Sequence, residues 1–261
     1  MWHVPAPNLK ELLIWFFYVR FGFTFAPQNL FHMGKDKLRK WAENESFDIV
    51  FEPPLKEIVE GATFKQNEWG STVFGNDNPI TLELGCGKGE YTLALAKKYP
   101  ERNFVGVDVK GHRFWRGAKT SIQEGISNVA FLRTRIEFVH HMFGKDEVSE
   151  IWLTFSDPQK GNESGTKRIT SYHFWERYKR FLKPDGIINI KTDSPLIYKN
   201  ALEEIKEHGA ELLVENGNIY ESDISHFPVD IQELLEVKTY YEQIWLAQGD
   251  TIKYVQFKLN G

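Results

Sequence analysis

One cysteine, Cys86, stands in a chain of 261 residues. A single thiol excludes an intramolecular disulfide and any zinc site built from several cysteines. Histidine does not fill the gap. His140 and His141 are adjacent and cannot share a helix face, and none of the eight histidines has ligand spacing. No metal site is expected. Long apolar runs are also missing. Leu12 to Val19 is strongly apolar but bracketed by Glu11 and Arg20, and crossing a bilayer takes roughly 20 apolar residues. No small-residue cleavage site follows it, which speaks against a signal peptide. No membrane partner is expected, and a lone cysteine suits a reducing cytoplasm. Charge of one sign is scarce as well, at a net −4. Bulk electrostatics therefore do not advertise a nucleic-acid binder, although phosphate contacts depend on local patches.

What is present starts with Ile80-Thr-Leu-Glu-Leu-Gly-Cys-Gly-Lys-Gly89. A short apolar run holds an acid, Glu83, and turns through Gly85, Gly87 and Gly89 into helical sequence. Glycines at such a turn let the backbone approach a ligand closely. A dinucleotide fingerprint needs glycine at its sixth position, where this chain has Glu90. The motif resembles instead the first motif of S-adenosylmethionine-dependent methyltransferases. Glu83 suits a ligand with a cationic amino-acid end. Cys86 within the turn reads as a small filler rather than a nucleophile.

From Pro79 onward, strand and helix patterns alternate. Strands are expected at 80–84, 103–109, 129–133, 150–155, 187–191, 211–214 and 253–259. Helices are expected at 90–98, 112–124, 136–143, 170–182 and 195–208. This alternation argues for an α/β fold, a parallel sheet wrapped by helices; taken with the glycine motif, it resembles the Rossmann-like class I methyltransferase type, a mostly parallel seven-stranded sheet with helices on both faces. Residues 79–261 form the main domain, interrupted by an inserted segment, 216–250, too long for a hairpin loop. Residues 33–78 read as an arm and lead-in. Met33-Gly-Lys-Asp-Lys reads as a natural start, so residues 1–32 are expected to be an extension outside the functional fold. A short amphipathic anchor is the alternative for them.

Ligands of doubly wound sheets bind beyond the carboxyl ends of the strands. Strand two ends in Asp108, some twenty residues past the glycines, where a carboxylate can accept both ribose hydroxyls. After strand three, Arg135 occupies the register where methyltransferases often hold the adenine amino group. It has no acceptor, so adenine recognition falls to the backbone around Ile136. Strand four delivers Phe155-Ser-Asp-Pro158, projecting Asp157 into the crevice where a methyl acceptor lies. Gln159 follows, with no aromatic, which speaks against an amino-group acceptor. Lys160, Lys167 and Arg168 make the next loop basic and suited to phosphates. Strand five ends in Lys191-Thr-Asp193. Thr239-Tyr-Tyr-Glu242, in the insert, offers aromatics that could stack on a base.

Together these residues resemble the bacterial tRNA (guanine-N7-)-methyltransferase family. The matching pieces are Trp69 to Pro79, Leu82 to Gly89, Val107-Asp108, Thr154 to Pro158, Lys167 to Thr170, Lys191 to Asp193 and Thr239-x-Tyr-Glu242. The resemblance implies S-adenosyl-L-methionine as cofactor, tRNA as partner, and N7-methylguanosine as product, expected in the variable loop. It assigns Glu83 and Asp108 to the cofactor, beside Gly85, Gly87 and the Ile136 backbone read above, and Asp157 to catalysis. It assigns Lys160 to the substrate, and Asp193, Thr239, Tyr240, Tyr241 and Glu242 to the substrate guanosine or the cofactor's methionine end. The family's substrate lysine falls on Gly161 in strict register and on Lys160 if the loop slides. A monomer or homodimer is expected. Lys35, Lys37, Arg39 and Lys40 are further candidates for tRNA phosphates. The rival readings are a small-molecule methyltransferase and a non-catalytic RNA-binding protein.

Overall fold

A computed structural model describes residues 28–161 and 165–260, with residues 28–35 by backbone only. Residues 1–27, which hold most of the expected extension, lie outside the described residues. The chain divides into two compact units, up to Arg39 and from Lys40 onward. Helix α1 (Gln28–Asn44) runs through the boundary expected at residue 33. In the first unit, Arg39 and Asp36 form an exposed ion pair at 2.8 Å. Everything below concerns the second unit.

Its sheet has eight strands: β1 (Val50–Phe51), β2 (Ile80–Leu84), β3 (Asn103–Asp108), β4 (Val129–Arg133), β5 (Val148–Thr154), β6 (Leu182–Thr192), β7 (Glu211–Asn216) and β8 (Lys253–Lys258). Their spatial order is β1-β4-β3-β2-β5-β6-β8-β7. The first six are parallel, and β8 runs antiparallel between β6 and β7. Seven strands were expected. The eighth, β1, is a two-residue edge pairing with Phe131 and Leu132, too short to leave an alternating pattern.

Side chains alternate across each strand, and both faces are apolar. Leu82, Val105, Val107, Ile151 and Leu153 join one core with Phe174, Trp175 and Tyr178 of α5 (Tyr172–Tyr178) and Ile197, Ala201 and Ile205 of α6 (Pro195–His208). Phe104, Phe131 and Trp152 join the other. That face is covered by α3 (Glu90–Lys98), α4 (Gly111–Glu124) and α7 (Val229–Leu235). Helices thus lie on both faces, as the pattern requires. The remaining helices are α2 (Leu55–Val59) and α8 (Tyr240–Ala247). A π-helical turn spans Trp69–Phe74, and a 3-10 turn spans Ile136–His141.

Two elements depart from expectation. Helix α5 stops at Tyr178, and β6 begins at Leu182, running through Lys183-Pro-Asp-Gly186. Pairing with Val148 holds that early stretch, and the register then shifts before Glu150. A buried polar network crosses the sheet. The Glu150 carboxylate accepts from Arg102, from Trp152 Nε1 at 3.0 Å and from Asn189 Nδ2 at 2.8 Å. Asn189 Oδ1 accepts from Tyr254 Oη at 2.6 Å and Gln256 Nε2 at 3.0 Å. These bonds satisfy groups that would be costly to bury unpaired, and they tie β5, β6 and β8 into one register.

Candidate active site

At the carboxyl end of β2 the chain turns in the left-handed region at Gly85 (φ 86°), Gly87 (φ 57°) and Gly89 (φ 74°). A Cβ at Gly85 or Gly87 would meet nothing within 4 Å, so bare backbone faces open space there. Gly89 has a different reason: a Cβ would lie 2.5 Å from the Phe131 ring. The open space is a cavity of about 800 Å³ lined by Glu83, Gly85, Gly87, Thr154, Thr239 and Tyr241, among others. Glu83 is buried and tethered. It accepts from Thr92 N at 2.8 Å, from the Thr92 hydroxyl and from Thr154 Oγ1 at 2.6 Å. Burial raises its carboxyl to about 7, against the pull of those hydrogen bonds.

Asp108 ends β3 beneath the turn. It accepts from Gly87 N at 3.0 Å and Lys110 N at 2.7 Å, and it does not line the cavity directly. Ile136, expected to read the adenine through its backbone, packs its side chain against the core and is not among the residues lining the cavity. Arg135 is exposed and paired with Glu137 at 3.1 Å. Cys86 lines the cavity, but burial, then Glu83 and Asp108, push its thiol well up. A protonated thiol is a poor nucleophile, in keeping with a small filler.

Beyond β5, Phe155 (φ 50°) and Gln159 (φ 49°) both sit in the left-handed region and bracket Ser156-Asp157-Pro158. Non-glycine residues are strained there. The loop is braced at each end. Phe155 N donates to Lys191 O at 2.8 Å, and its ring lies 4.9 Å from Trp245 of α8. Gln159 N donates to the Asp157 carboxylate at 2.8 Å, and Arg168 Nε donates to Pro158 O at 2.9 Å. Asp157 itself is exposed. Arg168, expected to meet phosphates, is only 7% exposed, and its Nε holds the Pro158 carbonyl. Lys160 and Lys167 are exposed. Asp193 is half-buried, which raises its carboxyl, while Lys253 and Lys160 pull it back.

Thr239-Tyr-Tyr-Glu242 opens α8 with a reciprocal cap. Thr239 Oγ1 accepts from Glu242 N at 3.3 Å, and Glu242 accepts from Thr239 N at 3.2 Å. This Ser/Thr-x-x-Glu pattern is a capping box. Glu242 is fully buried, with its other oxygen 2.8 Å from the buried Lys191 ammonium and 2.6 Å from Tyr220 Oη. In this arrangement Glu242 shapes the segment instead of facing a ligand. Lys191 also donates to Val237 O at 2.8 Å and Leu235 O at 3.1 Å. Burial pushes its ammonium down to about 8 despite Glu242. On the outer side, Tyr240 N donates to Glu90 at 2.9 Å, and Lys88 lies 4.1 Å from the Tyr240 ring. The segment is therefore pinned to the glycine turn on one side and to the end of β6 on the other.

Residues 77–255 match the family model described as "Putative methyltransferase". The tRNA (guanine-N(7)-)-methyltransferase of Bacteroides thetaiotaomicron is 48% identical over 87% of this chain and 87% of its own length. The chain belongs to the tRNA (guanine-N(7)-)-methyltransferase family. The family member of Christiangramia forsetii is 44% identical over 86% of this chain and 98% of its own. Among solved structures, the 16S rRNA methyltransferase KamB shares the fold at a TM-score of 0.57. That match has 13% identity over 76% of this chain and 95% of that one.

Of the family-matched residues, Glu83, Gly85, Gly87, Thr239 and Tyr241 line one cavity. Asp157, Lys160, Asp193 and Tyr240 lie outside that lining. The cavity is also lined by Tyr91, Arg113, Trp115, Arg116 and Trp245, none of them a sequence candidate, and by Lys40, which was expected to meet tRNA phosphates. Arg113 and Arg116 follow Asp108 at helical spacing, a signal too common to single out. The Thr-x-x-Glu spacing is the local signature of that cap, independent of what the two aromatics between them could stack on.

Proposed function

We propose that this chain transfers a methyl group from S-adenosyl-L-methionine to N7 of a guanosine in tRNA. The observation that carries the reading is the junction of two sites. An acid-bearing glycine cradle opens into the same cavity as Thr239 and Tyr241, next to the braced Asp157 turn. Such a volume suits a nucleoside-sized ligand. The open backbone at Gly85 and Gly87 with tethered Glu83 would hold an amino-acid end, and Asp108 would hold the ribose.

When bound, S-adenosylmethionine supplies a methyl group already activated by its sulfonium. Guanine N7 offers a lone pair and carries no proton, so the chain needs no general base. Its contribution is placement, which can be worth roughly 7–11 kcal/mol. Tyr240 and Tyr241 are exposed and present faces on which a base can stack. Asp157 stabilises the positive charge that develops on the methylated base, or accepts from guanine N1–H and the exocyclic amine. Asp193 and Lys160 would complete the substrate side.

The test is methyl transfer from labelled S-adenosylmethionine to unmodified tRNA, followed by borohydride–aniline cleavage to locate N7-methylguanosine. Label on small molecules alone, or at another base atom, rejects the proposal.

A further inference from the structure

The cavity at the glycine turn has a cationic wall. Four cationic side chains line it, Lys40, Lys88, Arg113 and Arg116, against two carboxylates, Glu83 and Glu90. Neither carboxylate offsets the arginines. Glu83 is tied to Thr92 and Thr154, and burial raises its carboxyl to about 7, so near neutrality it carries only part of its charge. Glu90 accepts from Tyr240 N at 2.9 Å and lies 4.0 Å from Lys88. The acids packed around α4 are matched as well. Glu43 accepts from Trp115 Nε1 at 2.7 Å and Lys119 at 3.0 Å, and Glu52 accepts from Arg133 at 2.8 Å. Asp108 accepts from the backbone amides of Gly87 and Lys110. Among the described residues, Arg113 and Arg116 form no ion pair with a carboxylate.

Both arginines stand on α4, which follows Asp108 at the carboxyl end of β3. Strands β2, β3 and β5 are parallel, so the start of α4 lies at the same end of the sheet as the glycine turn and the Asp157 turn. Arg113 is in the first helical turn and Arg116 three residues on, a spacing that puts them on one face. Both are exposed and both line the cavity, which sets them at its mouth. The Arg113 charge is felt at the glycine turn: burial, then Glu83 and Asp108, raise the Cys86 thiol, and Arg113 draws it back. Arg116 is held over the Trp115 ring, 5.1 Å from its centroid, a contact that orients a guanidinium without cancelling its charge. The first turn of α4 carries no acid. Its cations thus stand at the positive end of the helix dipole, where an anion is the favoured neighbour.

Two guanidiniums at a cavity mouth suit an oxyanion with several acceptor oxygens. A nucleoside-sized cavity admits a base, while the phosphates attached to its sugar stay outside, at the rim. A bound cofactor adds its sulfonium to the cavity and so enlarges the positive excess.

We infer that Arg113 and Arg116 seat a backbone phosphate of the RNA beside the guanosine that enters this cavity. The inference rests on the tRNA reading above and adds a place where the polyanion is held. The two arginines position substrate and take no part in methyl transfer.

The test uses the full chain with Arg113→Gln and Arg116→Gln together. The slope of log binding constant against log salt for unmodified tRNA falls by about 1 to 2, with binding about tenfold weaker near physiological salt. The loss appears in tRNA KM, with kcat within about twofold. The Arg113→Lys/Arg116→Lys pair restores the slope, because counterion release depends on charge. As a control, Arg177→Gln with Arg180→Gln removes equal charge beside Phe181, whose carbonyl accepts from Val148 N at 3.0 Å at the opposite end of the sheet. That pair leaves the slope unchanged. An equal fall in the control, or an unchanged slope in the first pair, overturns the inference. The cofactor's carboxylate is the other oxyanion within reach, and S-adenosylhomocysteine is titrated without RNA to test it. Affinity within about twofold of the unaltered chain is expected. A loss of about tenfold that spares 5′-methylthioadenosine, which lacks the amino-acid end, assigns the arginines to the cofactor and overturns the phosphate seat. Methyl transfer by the unaltered chain is recorded alongside. Its absence rejects the parent reading, whereas transfer with an unchanged variant slope rejects the seat alone.

Discussion

Glu242→Gln separates a residue that touches substrate from one that shapes the site. The substitution keeps the volume and an acceptor for Tyr220 but removes the charge 2.8 Å from Lys191, with both side chains fully buried. Breaking a buried pair by neutralising one partner costs about 3–5 kcal/mol, because the other charge stays buried. Lys191 moderates that. Its ammonium already titrates at about 8, so it can shed its proton at about 1.4 kcal/mol per pH unit, and the loss falls near 3 kcal/mol. For a domain of this size that is a drop in Tm of about 6–12 °C. The assay is thermal unfolding of Glu242→Gln, Lys191→Met and the double variant, with turnover and tRNA KM on the same samples. A double-mutant cycle isolates the pair, and a coupling of about 1–3 kcal/mol is expected. The reasoning fails if Glu242→Gln melts within about 2 °C of the unaltered chain while its tRNA KM rises. That outcome makes Glu242 a direct substrate contact.

Asp157→Asn lowers turnover about 10²-fold with cofactor affinity within about twofold; near-normal turnover in stopped-time methylation assays rejects the assignment. Glu83 links stability to pH. Its carboxyl titrates at about 7 in the folded chain against 4.5 ordinarily, so between those values the folded state holds a proton the unfolded state has released. Stability contributed by this site therefore falls as pH rises from 4.5 to about 7, by about 3 kcal/mol in all. Denaturant titrations of Glu83→Gln across that window should lack this component, and an unaltered profile sinks the reading. Gly89→Ala combines a left-handed backbone with a Cβ 2.5 Å from Phe131 and costs about 2–4 kcal/mol, which equilibrium unfolding would register. Arg168→Gln removes the donor to Pro158 O, so turnover drops with no change in the salt dependence of tRNA binding; a shallower slope would show a phosphate contact instead.

The parallel half of the sheet was open to reading from sequence because its signals are local. Strand β2, helix α3 and strand β4 have the ends that apolar runs, the glycine turn and Tyr99-Pro100 indicate. Gly125 and Gly209 close their helices at φ 68°. Long-range pairing was not open. Lys191 looks like a polar strand end, and only the packing of α7 and α8 over it makes it a buried cation. Arg168 sits in a basic loop, so its charge suggested phosphates, and its burial could not be foreseen. Thr239 and Glu242 were spaced for a cap, but the partner that buries Glu242 lies about fifty residues earlier.

The position of β8 has a consequence for biogenesis. Residues 253–258 lie between β6 and β7 and supply Tyr254 and Gln256 to Asn189. Synthesis proceeds from the amino end, so β6 emerges with an open edge and β7 has no neighbour until β8 follows. The cradle at Gly85–Gly89 can form early, since β2 and β3 are adjacent. Asp193 and the Thr239–Glu242 segment cannot settle until β8 closes the sheet beneath them, with Lys253 Nζ holding Asp193 O at 3.1 Å. A nascent chain could thus complete its glycine cradle well before Asp193 is braced, and translation of β8 sets the moment at which the two ends of the sheet first meet.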